Sequence, residues 1–215
     1  MTAKRKNNPI IVGQPVLIVV DIQKGGMSED DTCGIDSMPG MIPNMLRSRG
    51  VIDAARANGV PIIFLQEVHR PSGVDFGREL DGDEDEHLVD GWESTEIAAD
   101  VVGLRPDDYV IQKRRYSGFI GTDLPILLRG LKAETLILVG GLTNVCIHYT
   151  FADGHQSDYH CRVVEDCVGG SDLAAHQAAL TAMEYLQHGA RRSAAEMIAA
   201  FGEYGRGALP LQASA

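Results

Sequence analysis

Three side chains able to share an acyl-transfer reaction stand at or just after the ends of apolar runs. Asp21 closes "LIVVD", Lys113 closes "DYVIQK", and Cys146 follows "ETLILVGG" within "VGGLTNVCIHYT". A thiol is nucleophilic as its thiolate, and a helix N-terminus or a nearby ammonium favours that anion. Cys146 falls early in a helix expected to begin around Thr143, and Lys113 would supply the ammonium. Asp21 would take the thiol proton and later hand it to a leaving amine. Backbone N–H groups around Leu142 and Cys146 would be placed for an oxyanion. Each residue alone has a plainer explanation: a turn or helix cap for Asp21, a solvated Lys113, a small buried thiol at Cys146. Chance seldom sets all three at strand ends, so together they favour chemistry.

The elements that must position them can be read from hydrophobic rhythm. "PVLIVVDIQ", "VPIIFLQEVH", "DYVIQK", "ETLILVGG" and "HCRVVEDC" are short runs with the character of buried strands, and a weak sixth is expected near residues 190–194. Between them "MIPNMLRSRGVIDAARANG", "DLPILLRGLK", "TNVCIHYTFADGHQSD" and "SDLAAHQAALTAMEYLQHG" have helical character, as does the terminal "AAEMIAAFG". Strands alternating with helices predict a mainly parallel sheet buried on both faces. Right-handed crossovers then give a three-layer α/β/α sandwich. Ligands of such sheets bind outside the carboxyl ends of the strands, where Asp21, Glu67, His69, Lys113 and Cys146 all fall.

The chain has 215 residues and 23.2 kDa, enough for one domain with a sizeable core. Residues 1–12 read as a solvated N-terminal tail, without the apolar core of a secretory signal. Residues 70–107 form a long acidic insertion, expected to be ordered beside the active site or at a subunit contact because Phe76, Leu80, Val89 and Trp92 need burial. A formal charge of −11 argues against nucleic acid or an anionic membrane surface as partner. No apolar run is long enough to span a bilayer. The four cysteines lack metal-binding or disulfide spacing, which fits reduced thiols in a cytoplasm. Cys161 and Cys167 flank the fifth strand and read as structural, while Cys33 sits in a loop that could cover the site. His148, His155, His160, His176 and His188 show no tight ligand spacing and receive no role.

"LIVVDIQ", "KRRYSGFIGTDL" and "VGGLTNVCIHYT", in this order and over nearly the whole chain, resemble the cysteine-dependent amidohydrolases of the isochorismatase-like superfamily. The resemblance implies a six-stranded parallel sheet and a triad of Cys146 as nucleophile, Asp21 as base and Lys113 as electrostatic partner. It also implies a cis peptide at Gly141–Leu142, which would aim an N–H into the oxyanion hole. True isochorismatases lack the cysteine, so Cys146 points to C–N hydrolysis through an acyl-enzyme, without an organic cofactor. A rival class is a silent ligand-binding or scaffolding member of the fold, but no triad position is substituted. The family often forms dimers or tetramers, so a homo-oligomer is expected.

Two branches compete for the substrate. Nicotinamidases bind a metal through an acid-x-His motif and two further histidines. Here Glu67 and His69 match the motif, while Asp75 and His87 are the remaining candidates, a departure at two of four positions that argues against a metal. Hydrolases of biuret and other ureido compounds resemble this chain in "EVHRP", and Gln187 in "YLQHG" stands where their glutamine meets a substrate carbonyl. On that reading Glu67, His69, Arg70, Tyr116, Phe119 and Gln187 shape the pocket for a small urea-like substrate. Plainer roles stay open: Gln187 as a solvated helix end, Arg70 as a loop tie, Tyr116 and Phe119 as core packing.

Overall fold

Valine, isoleucine and leucine dominate the first strand, β1 (Gln14–Val20), because branched side chains suit a pleated and fully buried surface. β1 lies at the centre of a sheet completed by β2 (Ile62–Glu67), β3 (Tyr109–Lys113), β4 (Ala133–Gly141), β5 (His160–Gly169) and the two-residue β6 (Arg191–Arg192). The order is β3-β2-β1-β4-β5-β6 and every neighbouring pair is parallel. The computed structural model describes residues 8–28 and 34–207, so Cys33 lies outside the described residues.

Alternation along each strand divides the core in two. Leu17 and Val19 join Phe64, Ile137 and Val139 on one face, under Met45 and Ile52 of α1 (Met41–Ala57) and Met197 and Phe201 of α6 (Ala194–Gly207). Val16, Ile18 and Val20 face the other way, against Leu124 of α3 (Leu124–Gly130), Phe151 of α4 (His148–Gln156) and Met183 of α5 (Leu173–Leu186). Each such fully buried aliphatic side chain contributes about 1.5–3 kcal/mol through removal from water. The result is the expected three-layer sandwich. Among the described residues no helix is long and apolar enough to cross a membrane.

Two expectations are corrected. The N-terminal segment is docked from residue 9 onward: carbonyls of Pro9 and Ile10 accept hydrogen bonds from the buried Arg162 guanidinium, and Val12 pairs through its backbone with Thr135 Oγ1. The insertion between β2 and β3 holds two 3-10 turns (Glu79–Asp81 and Glu93–Thr95) and the short α2 (Ala99–Val102). It buries Phe76 and Val89 together with the polar Glu79, His87 and Thr95, but leaves Leu80 39% and Trp92 43% exposed.

The strand order reverses between β1 and β4, which opens the crevice where such sheets place their ligands. Gly140 permits the close approach there. Its φ is +117°, and a Cβ at that position would lie 1.9 Å from the Val20 carbonyl oxygen. Gly140→Ala is therefore expected to destabilise the fold by about 3 kcal/mol or more, through overpacking and backbone strain together. Urea unfolding of the two proteins measures it, and an unchanged midpoint would contradict this account.

Candidate active site

The carboxyl ends of β1, β2 and β3 are tied together before any functional side chain is considered. Asp21 leaves β1 in a left-handed conformation, φ 49°, which Asp tolerates better than branched residues. Its Oδ1 accepts the Glu67 backbone N–H at 3.0 Å. Gln23, fully buried, donates through Nε2 to the carbonyls of Glu67 and Thr95 at 2.9 and 2.6 Å, and its Oε1 faces the same Glu67 N–H. Lys113 is in register with Glu67 on the neighbouring strand.

Lys113 is completely buried, and its Nζ lies 2.9 Å from Asp21 Oδ2, 2.6 Å from Glu67 Oε2 and 3.4 Å from Cys146 Sγ. Cys146 Sγ stands 3.3 Å from Glu67 Oε2, and Asp21, Glu67 and Cys146 offer polar atoms within 4.8 Å of one another. The segment carrying the thiol is a π-helical turn, Thr143–Ile147, rather than the first turn of an α-helix, with the amides of Val145 and Ile147 both donating to the Leu142 carbonyl. The Gly141–Leu142 peptide is cis.

Burial dominates the ionisation of this group. It pushes Asp21 up to about 6, with Lys113 pulling the value down and Glu67 pushing it further up. Burial also acts to raise Glu67, but Lys113 and His69 together hold that carboxyl well below the usual range. Lys113 is held firmly protonated: burial opposes its charge, and Asp21, Cys146 and Glu67 outweigh that. The Cys146 thiol is pushed up rather than down. Burial and the charge on Glu67 oppose the thiolate more than Lys113 supports it, so the resting thiol keeps its proton. This reverses the expectation of a thiolate poised by the helix end and Lys113.

Behind the thiol, Glu67, His69, Glu79 and His87 form a buried quartet whose ligand-type atoms all lie within 4.8 Å of one another. His69 Nε2 is 3.5 Å from Glu67 Oε1 and 3.1 Å from Glu79 Oε2 but out of line for hydrogen bonds. His69 stacks on Phe76 with ring centroids 4.2 Å apart. His87 Nδ1 lies 2.7 Å from the Asp85 carbonyl, which only accepts, so Nδ1 carries a proton. Although burial lowers it, His69 is pushed up to about 9 by Glu67 and Glu79. Asp75, expected among these residues, belongs elsewhere: it accepts the Arg70 backbone N–H and guanidinium and lies 3.7 Å from His69 Nδ1, on the other nitrogen's side. Glu79 takes the place assigned to Asp75.

A cavity opens over Cys146, with Asp21, Glu67, Glu84, Tyr116 and Leu142 in its wall. Tyr116 donates to Glu84 Oε2 at 2.9 Å, so it does line the pocket. Four other expected pocket residues do not. His69 is fully buried in the quartet and does not reach the cavity wall. Arg70 is mostly exposed and spent on Asp75. Phe119 packs beside Tyr159 against the α3–α5 core. Gln187 caps the opposite edge of the sheet, accepting from the Cys161 N–H and donating to the Tyr159 carbonyl. It sits there because the loop after α5 enters β6 at the amino ends of the strands. Cys161 and Cys167 are buried in the two cores, and burial pushes both thiols up to about 12.

The model of the isochorismatase domain matches residues 15–196. The chain belongs to the isochorismatase family. It is a hydrolase, and its relatives carry related activities. It is 34% identical over 180 residues to the ureidoacrylate amidohydrolase RutB of Yersinia enterocolitica, covering 74% of this chain and 77% of that protein. A cysteine hydrolase from Pseudomonas syringae pv. phaseolicola superposes with a TM-score of 0.78 at 25% identity, over 92% of this chain and 99% of the other. N-carbamoylsarcosine amidase from Thermoplasma acidophilum gives 0.70 at 26% identity, over 85% and 97%.

Several residues of this family member's site carry no local signal. Gln23 lies two residues past Asp21, and Glu79 and Glu84 are indistinguishable from other acids in the insertion. His176, on α5, shares a 2.9 Å hydrogen bond with Thr143 Oγ1 and so braces the turn that carries Cys146. The charge balance yields a test. Lys113→Ala would leave Asp21 and Glu67 buried without their ammonium, costing about 3 kcal/mol or more near pH 7.5. Both carboxyls would then titrate above their unfolded values, so the folded form takes up protons first and part of the loss returns as pH falls towards about 5. Urea unfolding at both pH values would show it; an equal loss at each would refute the role given to Lys113.

Proposed function

We propose that the protein is a cysteine amidohydrolase acting on the C–N bond of a small amide or ureido compound. The observation that carries this reading is the convergence of Cys146 Sγ, Lys113 Nζ and two carboxylates at the floor of the cavity. Cys146 Sγ attacks the substrate carbonyl as its proton passes to a carboxylate, and the oxyanion is met by the backbone N–H groups of Leu142 and Cys146. The same carboxyl returns the proton to the departing ammonia or amine, leaving a thioester. Water then adds to the thioester carbonyl, losing a proton to that carboxylate, and the acid is released as the thiol regains its proton. Lys113 keeps the dry site close to neutral as these charges move.

Two carboxylates compete for the role of base. Glu67 Oε2 stands 3.3 Å from Sγ, but a carboxyl held so far below its ordinary range is a weak acceptor. Asp21, pushed up to about 6, is the better proton acceptor and still ionised at neutral pH. Asp21 is therefore assigned as base and Glu67 as the anchor of Lys113.

The buried quartet supports a second reading, in which a divalent cation assists. The donor set fits: Glu67 Oε1, both His69 nitrogens and both Glu79 oxygens are buried without a hydrogen-bond partner. Glu67, His69, Glu79 and His87 would hold the ion, which would supply Lewis-acid polarisation of a carbonyl. Without it, a protonated His69 balances the two carboxylates. Chelator-insensitive turnover selects the metal-free form.

Cys146→Ala is expected to cut ammonia release at least roughly a thousand-fold and to abolish any acyl adduct seen by intact-mass spectrometry. Wild-type kcat/KM should fall below about pH 6 as Asp21 takes up its proton, because the base acts only when ionised. Retention of wild-type turnover by Cys146→Ala would end this mechanism.

A further inference from the structure

The cavity over Cys146 joins a second one, with the Glu84–Tyr116 pair, Ile35, Leu142 and Val145 common to both walls. Their ionisable side chains are lopsided. Asp21, Glu67 and Glu84 line the inner cavity together with His87, and Asp36, Glu79, Asp83 and Asp172 are added in the outer one. Among the described residues no Lys or Arg lines either. The cations nearby are already engaged: Lys113 by Asp21 and Glu67, Arg70 and Arg114 by Asp75, Lys24 by Glu93 and Glu96.

Glu84 is the acid with capacity to spare. Lys113 compensates Asp21 and Glu67, whereas Glu84 accepts a hydrogen bond from the neutral Tyr116 hydroxyl and no lysine or arginine is paired with it. Burial pushes Glu84 up, the hydroxyl of Tyr116 and His87 pull it down, and Glu67 and Glu79 push it further up. Glu67 Oε1, in the inner wall, and both Glu79 oxygens, in the outer, are buried without a hydrogen-bond donor. A ligand carboxylate entering here would meet like charges in a partly desolvated space whose walls, among the described residues, hold no lysine or arginine, whereas a ligand ammonium would find its counter-ion at Glu84.

We propose that the amide or ureido substrate carries no carboxylate and presents a protonated amine to Glu84, which with Tyr116 sets specificity. The inference rests on the amidohydrolase reading above. It sets this chain apart from its relative named for ureidoacrylate, which is itself a carboxylate.

Three ureas of matched length test it: ω-aminobutylurea, pentylurea and ω-carboxybutylurea. Calorimetric binding to Cys146→Ala separates recognition from chemistry, and ammonia release by the wild type reports chemistry. The amine should bind at least ten-fold tighter than the pentyl compound, with the acid weakest. Glu84→Gln, made in the Cys146→Ala background, should cut the amine-to-pentyl affinity ratio at least ten-fold, and Glu84→Ala serves if Gln fails to fold. The proposal is overturned if the acid binds as well as the amine, if amine and pentyl are not distinguished, if Glu84→Gln leaves their ratio intact, or if none binds. Binding in the expected order with no turnover and no adduct on wild-type Cys146 would instead overturn the amidohydrolase reading and leave the charge preference standing.

Discussion

A single ammonium, that of Lys113, makes the rest of this site possible. Two carboxylates a few ångströms apart in a dry interior would each suppress the other's ionisation. With Lys113 within ion-pair distance of both Asp21 and Glu67, the cluster can hold charge without solvent. The geometry is supplied by strand order, since β3, β2, β1 and β4 lie side by side and end together. Lys113, Glu67, Asp21 and the turn bearing Cys146 are consecutive stations along that edge. A change of register in any strand would break the group.

The same cluster explains why the thiol is protonated at rest. An ammonium shared by two carboxylates has little attraction left for a thiolate, and burial penalises that anion further. The site therefore separates storage of the proton from its transfer. Asp21 and Glu67 see the same cation yet are driven in opposite directions, because Glu67 also has His69 and Asp21 has the charge of Glu67 to contend with. Unequal surroundings give two like acids the different proton affinities that the proposed base and anchor roles require.

Away from the floor of the cavity the balance changes. Lys113 and His69 lie buried beneath the cavities, and Asp and Glu side chains line the walls without a lysine or arginine among the described residues. A net charge of −11 says only that the protein is acidic; which acids face a ligand depends on how the insertion between β2 and β3 folds back over the sheet. Backbone pairing of His69 with Val89, and the clamp of Gln23 on Glu67 and Thr95, hold that segment down.

The sequence by itself determined the architecture and the clustering of the groups to which the proposed chemistry is assigned. Apolar strand runs alternating with helices leave few solutions besides a parallel sheet covered on both faces, and in such a sheet Asp21, Lys113 and Cys146 must share one edge. Local patterning carries that information because burial imposes it residue by residue. Tertiary structure decided the rest. Glu79 in place of Asp75, Glu84 on the cavity wall and Gln23 beneath it are set by how an irregular segment packs, which no periodicity encodes. Gln187 and Arg70 went astray for the same reason, since a helix-end glutamine or a loop arginine takes whichever carbonyl or carboxylate the fold brings near. The protonation of Cys146 is likewise a property of the assembled interior: burial and neighbouring charges set it, and both exist only once the strands have met.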